Sequence, residues 1–303
     1  MKTILILLLL ILPNLLFSQQ IADTTYNPEI TNQAYAFGKG PVVFIDEGHY
    51  NFHTKSGRYK AFANLLERDG YNVLEYKGEF EKSKLGKGKI LVISNALNAI
   101  NAQNWFLPTP SAFTPTEIEI VKKWVADGGS LFLIADHMPL AGAAKDLAAV
   151  FGFVFTNGFV FDSITGGNCY FNLTDGTLNE STITKGRDKS ESVDRIVSFT
   201  GQGFKIPSDA TSILKFNKNC TNSMPDTAWV FKPETPKFKV EGWSQGAFKK
   251  YGKGKVVAFG EAAMFTAQLA GPEKRKMGMN NEIAPQNHQL LLNIIHWLDN
   301  ILN

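Results

Sequence analysis

The chain has 303 residues, 44% of them hydrophobic, 12% aromatic and 19% charged, which suits a globular core and excludes disordered, collagenous and disulfide-dense classes. Against 28 Asp and Glu stand 31 Lys and Arg, and a formal net charge of +3 is too small a surplus to predict a nucleic-acid partner. The length allows one large domain or two small ones, and two cysteines build neither a four-cysteine zinc site nor a disulfide framework.

Met1-Lys2 is followed by an unbroken apolar run over residues 4–12, and then by the small residue Ser18. One positive charge, a short apolar centre and a small residue predict a secretory signal peptide at residues 1–18. The run is shorter than the roughly 20 apolar residues that span a bilayer. A retained N-terminal anchor is the alternative reading. The expected location is periplasmic or extracellular, with no stable membrane insertion after cleavage. In such an oxidising compartment Cys169 and Cys220 either pair or stay as two buried thiols, and the sequence leaves both open.

A polar arm over residues 19–40 leads into Val42-Val43-Phe44-Ile45-Asp46, a continuous apolar run that reads as a buried strand. Residues 57–69 predict a helix with Tyr59, Phe62, Leu65 and Leu66 on one stripe, closed by Gly70 in the position where left-handed backbone favours glycine. Further strands are expected at residues 71–75, 89–94 and 130–135. Between the last two, Thr114-Pro115-Thr116-Glu117 carries a helix start: a capping hydroxyl, a proline in the first turn and a Glu three residues after the cap. That helix should stop at Gly128-Gly129, and another is expected over residues 140–151. Strands alternating with helices, apolar on both faces, predict an α/β domain with a doubly wound, flavodoxin-like, mostly parallel sheet. The rhythm breaks at about residues 160–240, a polar, β-rich stretch too scattered in apolar content for its own core, read here as an insertion. The sheet resumes in a hairpin turning at Gly252-Lys253-Gly254, and residues 287–301 predict a final helix.

The strand at residues 42–46, Ile90-Leu91-Val92-Ile93-Ser94, the helix from Thr114 to the glycines, and Leu131 through His137 together resemble the class I glutamine-amidotransferase-like fold. The closing Gly252-Lys253-Gly254-Lys255-Val256-Val257-Ala258-Phe259-Gly260-Glu261 and Asn293-Ile294-Ile295-His296-Trp297-Leu298 are similar to its exported DUF4350-type branch. The resemblance implies one amidotransferase-like domain over residues 41–303 that contains the insertion. True amidotransferases place a nucleophilic Cys on a sharp strand-to-helix turn. Here that turn reads Ala135-Asp136-His137-Met138, so the glutaminase mechanism is not expected.

Ligands of open α/β sheets bind beyond the carboxyl ends of the strands. Asp46, Glu47, His49, Asn51 and His53 follow the first strand, Asn95 the third, Asp136 and His137 the fourth, and Glu261 the late one; His288 opens the last helix. Four of the five histidines thus fall on one predicted edge or at a helix start, whereas His296 reads as a satisfied interior residue. Imidazoles and carboxylates together suit either a divalent ion, zinc first, or metal-free acid–base catalysis. The expected assignment is a hydrolase with Glu47, Asp136 and Glu261 as catalytic carboxylates. His49, His53, His137 and His288 are the expected metal ligands, and Asp46, Asn51 and Asn95 the substrate contacts. A small molecule, glycan or peptide is the expected substrate, and a non-catalytic ligand- or partner-binding domain is the alternative. Taken singly, Asp46 and Asp136 also suit local caps, and Asn287 or His288 a cap of the last helix. Tyr50, Phe52, Trp105 and Phe106 lie in loops near the same edge, where they either stack on a ligand or roof the core.

Overall fold

The structure is a computed structural model that describes residues 20–302; the predicted signal peptide lies outside the described residues. The chain begins with β1 (Gln20–Ala22) and reaches the central sheet at β2 (Val42–Asp46). α1 (Lys60–Arg68) buries Phe62, Leu65 and Leu66 and ends at Gly70, whose φ of +99° is the left-handed stop read from the sequence. β3 (Asn72–Tyr76), α2 (Lys82–Leu85), β4 (Ile90–Ser94), α3 (Pro115–Ala126), β5 (Ser130–Ile134) and α4 (Leu140–Ala149) follow. α3 opens on the expected capping box: Thr114 accepts from the Glu117 amide while the Glu117 carboxylate accepts from the Thr114 amide.

Beyond α4 the elements shorten. They are β6 (Val154–Phe155), β7 (Phe159–Asp162), β8 (Asn168–Asn172), α5 (Thr182–Lys185), β9 (Arg195–Phe199), β10 (Phe204–Lys205), β11 (Thr211–Lys215), β12 (Cys220–Ser223) and β13 (Lys237–Lys239). Long strands return as the hairpin β14 (Ser244–Tyr251) and β15 (Gly254–Phe259), and β16 (Ala267–Ala270), β17 (Arg275–Gly278) and α6 (Asn287–Leu298) complete the chain.

The central sheet has nine strands in the order β3-β2-β4-β5-β15-β14-β10-β6, with β11 also paired to β14. This corrects the expectation of a doubly wound, flavodoxin-like, mostly parallel sheet. Parallel pairing is confined to β3, β2, β4, β5 and β15, and every pairing beyond β15 is antiparallel. The reversal has a local cause. Gly252, at φ +57°, turns β14 back directly against β15, and the short strands of residues 154–215 then add along β14 and β10. Smaller antiparallel sheets, β1-β16-β17, β13-β12-β7 and β8-β9, flank it.

Alternation along the strands sorts the core into two layers. Val43 and Ile45 of β2 join one apolar cluster with α1 and α6, and Phe44 between them joins another with α3 and α4. The polar stretch has no separate core: Val160, Phe171, Ile196, Phe216 and Val240 belong to the same cluster as α1 and α6. Cys169 and Cys220 lie there too, buried and with no disulfide between them.

One buried polar contact ties these layers to the arm. His296 Nε2 of α6 lies 2.6 Å from Asp69 Oδ2 at the end of α1, and Asp69 Oδ1 accepts from the Ala34 amide at 2.8 Å. Both side chains are fully buried, so removing one strands the other in a medium without water. His296→Ala should therefore lower the unfolding free energy by about 3 kcal/mol. Lys122→Ala, in the exposed pair with Glu119, should change it by less than about 0.5 kcal/mol. Urea denaturation of the two variants checks the contrast.

Candidate functional site

Asp46 ends β2, and Asn95, Asp136 and Glu261 follow the ends of β4, β5 and β15; these four strands are neighbouring and parallel, so the side chains share one edge of the sheet. They form two separate networks. In the first, Asp46 leaves β2 and folds the chain back on itself by accepting from the Gly48 amide at 3.1 Å. A Cβ on Gly48 would lie 2.3 Å from the Gly78 carbonyl oxygen, so glycine is what lets this turn press against the segment after β3. Both Asp46 oxygens are 2.9 Å from His49 Nδ1, and His49 Nε2 is 2.8 Å from Glu117 Oε1. Asn51 closes the turn, donating to Asp46 Oδ2 at 2.9 Å and accepting from the His49 amide at 3.0 Å.

Glu117 is the reciprocal partner of Thr114 in the α3 capping box, and its two oxygens divide the work. Oε2 accepts from Thr114, while Oε1 meets His49 and accepts from the Phe80 amide at 3.0 Å. Phe80 and Phe113 flank the His49 ring at 4.5 and 4.8 Å between centroids. Burial works against a charge on His49, but hydrogen bonds and charge from Asp46 and then Glu117 outweigh it and raise its pKa. Glu117 moves the opposite way: burial raises it, but the Thr114 amide and His49 prevail and lower it. With carboxylates on both ring nitrogens, His49 has no lone pair for a metal ion or an incoming proton.

The second network is built around Asn95, held in left-handed backbone at φ 51°. Its amide donates to His53 Nδ1 at 3.1 Å, and its Oδ1 accepts from the Asp136 amide at 2.8 Å. Burial, reinforced by the Arg58 charge, pushes His53 down to about 3, so it stays neutral. Asp136 Oδ1 accepts from the His137 amide at 2.9 Å; His137 Nδ1 donates to the Met138 carbonyl at 2.8 Å, leaving Nε2 3.9 Å from Asp136 Oδ1. The His137 ring stacks on Phe159 at 4.1 Å, with Trp229 edge-on at 4.7 Å and Trp105 at 6.2 Å. Glu261 is fully buried and accepts from the Ala263 and Met264 amides at 2.7 and 2.8 Å. Burial first, then the charge of Asp136, raises its pKa well above the ordinary carboxylate range. Residues 200–202 brace this end: Gln202 donates to the Ala135 carbonyl at 2.9 Å, and a Cβ on Gly201 (φ +95°) would lie 2.3 Å from the Gly260 oxygen.

The predicted residues thus separate. Asp46, His49 and Asn51 meet in one network, and His53, Asn95, Asp136 and His137 in the other, with Glu261 beside Asp136. Glu47 is directed elsewhere, its Oε1 accepting from the Lys55 amide at 2.7 Å. His288 lies beside Pro285 and Arg68, and the neighbouring Asn287 does not cap α6 but bonds both the amide and the carbonyl of Val197. Among the described residues no three His, Cys, Asp or Glu side chains gather to hold a metal ion. His49, His53, His137 and His288 are therefore not brought together as a ligand set, and the donors present do not fit the zinc ion expected from their number. Sequence reading missed Glu117, whose capping pattern explained it fully, and Phe159 and Trp229, which sit in the stretch read as a polar insertion.

No family model matches the chain, and no curated protein is similar to it in sequence. Among solved structures it is similar to the mmIFT52 N-terminal domain, with a TM-score of 0.60 at 15% identity over 85% of this chain and 97% of that one. It is also similar to the cytoplasmic protein STM3548 from Salmonella typhimurium, with a TM-score of 0.52 at 16% identity over 85% and 98% of the two chains. At this level of identity the likeness is one of fold.

The two histidines set opposite pH limits. The raised pKa of His49 stabilises the fold fully below 6.5, and this contribution is lost as pH rises through the raised value. The lowered pKa of His53 makes protonation oppose folding, so stability falls as pH drops from 6.5 towards 3. The thermal midpoint should therefore decline on both sides of neutrality. His49→Gln should flatten the alkaline limb and His53→Gln the acid limb, as read by calorimetry across the pH range.

Proposed function

We propose that this chain is a non-catalytic binding domain whose ligand face is the aromatic rim over Asp136 and His137. The observation that carries the reading is Trp229. A bulky aromatic in left-handed backbone, at φ 65°, it stands 52% exposed against the His137 ring. Such a conformation costs about 1–3 kcal/mol and persists where the surroundings impose it, which is a mark of ligand-contacting positions. Here the surroundings are a clasp between two loops: Ala228 donates to the Trp105 carbonyl at 2.8 Å and Leu107 to the Asp226 carbonyl at 2.9 Å. Phe106, Val230 and Phe231 extend the exposed apolar surface beside it.

The polar groups support the same reading. His49 is enclosed by carboxylates, His53 is neutral and held by Asn95, and Glu261 is sealed among backbone amides. Asp136 and His137 Nε2 keep capacity for a ligand. Aromatic faces with one carboxylate and one imidazole suit an extended glycan or peptide, bound by stacking and a few directed hydrogen bonds. The leader-like residues 1–18 support a periplasmic or extracellular site of action.

Hydrolysis is the second reading, favoured by the 3.9 Å approach of His137 Nε2 to Asp136 Oδ1, a pair able to orient water at the same rim. A glycan array and a peptide library probed with residues 19–303 test both readings. The binding reading expects retention of ligands from one class without turnover, weakened at least about 10-fold by Trp229→Ala at unchanged circular dichroism. Undiminished retention in that variant, or product formation abolished by Asp136→Asn, would overturn it.

A further inference from the structure

A cavity of about 290 Å³ lies on the other flank of α1, between that helix and arm residues 24–37. Its chemistry is the reverse of the sheet edge. Thr24, Tyr26, Asn27, Asn64 and Arg68 all line it, and none of these side chains makes a hydrogen bond or ion pair to another described residue. Tyr26, Asn64 and Arg68 are half-buried and Thr24 and Asn27 exposed, so their polar groups are free to meet a ligand in the cavity. Glu67, the one carboxylate in the wall, is already paired with Lys55 at 2.9 Å, which leaves the Arg68 guanidinium as the uncompensated charge. Phe37, 78% exposed, adds an aromatic face to that of Tyr26.

We infer that this cavity is a second binding site, distinct from the aromatic rim, for a small hydroxylated ring carrying a carboxylate, of which a uronic acid is the simplest case. Each part of the ligand answers a group left free. A guanidinium takes a carboxylate through two parallel N–H···O bonds. The amides of Asn27 and Asn64 and the Thr24 hydroxyl offer donors and acceptors to ring hydroxyls. The aromatic faces of Tyr26 and Phe37 cover the apolar C–H face of a pyranose. The volume is at the small end of ligand sites and holds one ring rather than a chain. The arm is anchored at its start by β1 on β16, with Gln20 opposite Ala270, and at Ala34 by Asp69, so the wall it supplies is tethered on both sides of the cavity.

Calorimetric titration of residues 19–303 with sodium D-glucuronate, D-glucose and sodium acetate at equal ionic strength tests the site. The expected result is saturable glucuronate binding with Kd of about 1 mM, as befits a ligand of so few atoms, and at least about 10-fold weaker binding of glucose and of acetate. Arg68→Leu should bring glucuronate down to the level of glucose without altering glucose itself. Arg68→Lys, which keeps the charge and loses the fork, should fall between. Trp229→Ala should leave glucuronate binding unchanged, which separates this site from the rim. No saturable heat at tens of millimolar, equal affinity for glucuronate and glucose, acetate binding as tight as glucuronate, or indifference to Arg68→Leu in a folded variant would each overturn the inference.

Discussion

The geometry of the sheet edge depends on keeping three charges together out of water. Asp46, His49 and Glu117 are nearly inaccessible, and an isolated charge in that position would be prohibitively costly. Attraction between the imidazole and its two carboxylates offsets part of that cost, and directed donors offset more: the Gly48 amide and Asn51 for Asp46, and the Phe80 amide and Thr114 for Glu117. Because these donors come from the turn after β2, the segment before α2 and the start of α3, the charges fix three pieces of backbone at once. Residues 46–53 are thereby held in one path, and His53 is delivered beneath Asn95. The second network is thus positioned by the first, although no side chain is shared.

Residue identity alone does not show which side chains the fold leaves free. Histidines and carboxylates are the usual marks of chemistry, yet at this edge Asp46, His49 and Glu117 engage one another, and His53, Glu47 and Glu261 are held by Asn95 or by backbone amides. The groups left unengaged are less conspicuous: a tryptophan in an unfavourable backbone conformation, a ring of arm and helix side chains, one arginine. Hydrogen-bond capacity that the fold leaves unused is what a ligand can take up, whereas capacity already satisfied inside the protein is not.

Much of the fold was legible where the signal is local. The continuous apolar runs of β2, β4 and β5, the capping box of α3 and the glycine stop of α1 depend on neighbours within a few residues. The strand ends also located Asp46, Asn95, Asp136 and Glu261 on one edge without knowledge of their contacts. What stayed hidden was non-local. Glu117 lies 68 residues from His49, and its local capping role masked the distant one. The strands β6 and β10 are two residues long, too short for any periodicity, and they exist because β14 offers an edge to build on. The glycine turn announced the antiparallel β14–β15 pair, but the extent of the antiparallel half could not be read, because the strands β6, β10 and β11 pair only through β14 and β10. His296 was correctly read as interior, but its partner Asp69 sits at a helix end that sequence reads merely as polar.

The position of β15 bears on how the molecule is made. It lies between β5 and β14, so the middle of the sheet is supplied by residues 254–259, well after β2, β4 and β5 have been synthesised. Until then β5 presents an unpaired edge, and the strands that add through β14 lack their attachment. α6, which covers β5 and β15 on one face, arrives later still. A nascent chain of this sequence therefore cannot close its core piecemeal from the N-terminus. Its apolar strands stay open until the segments of β15 and α6 are free to dock.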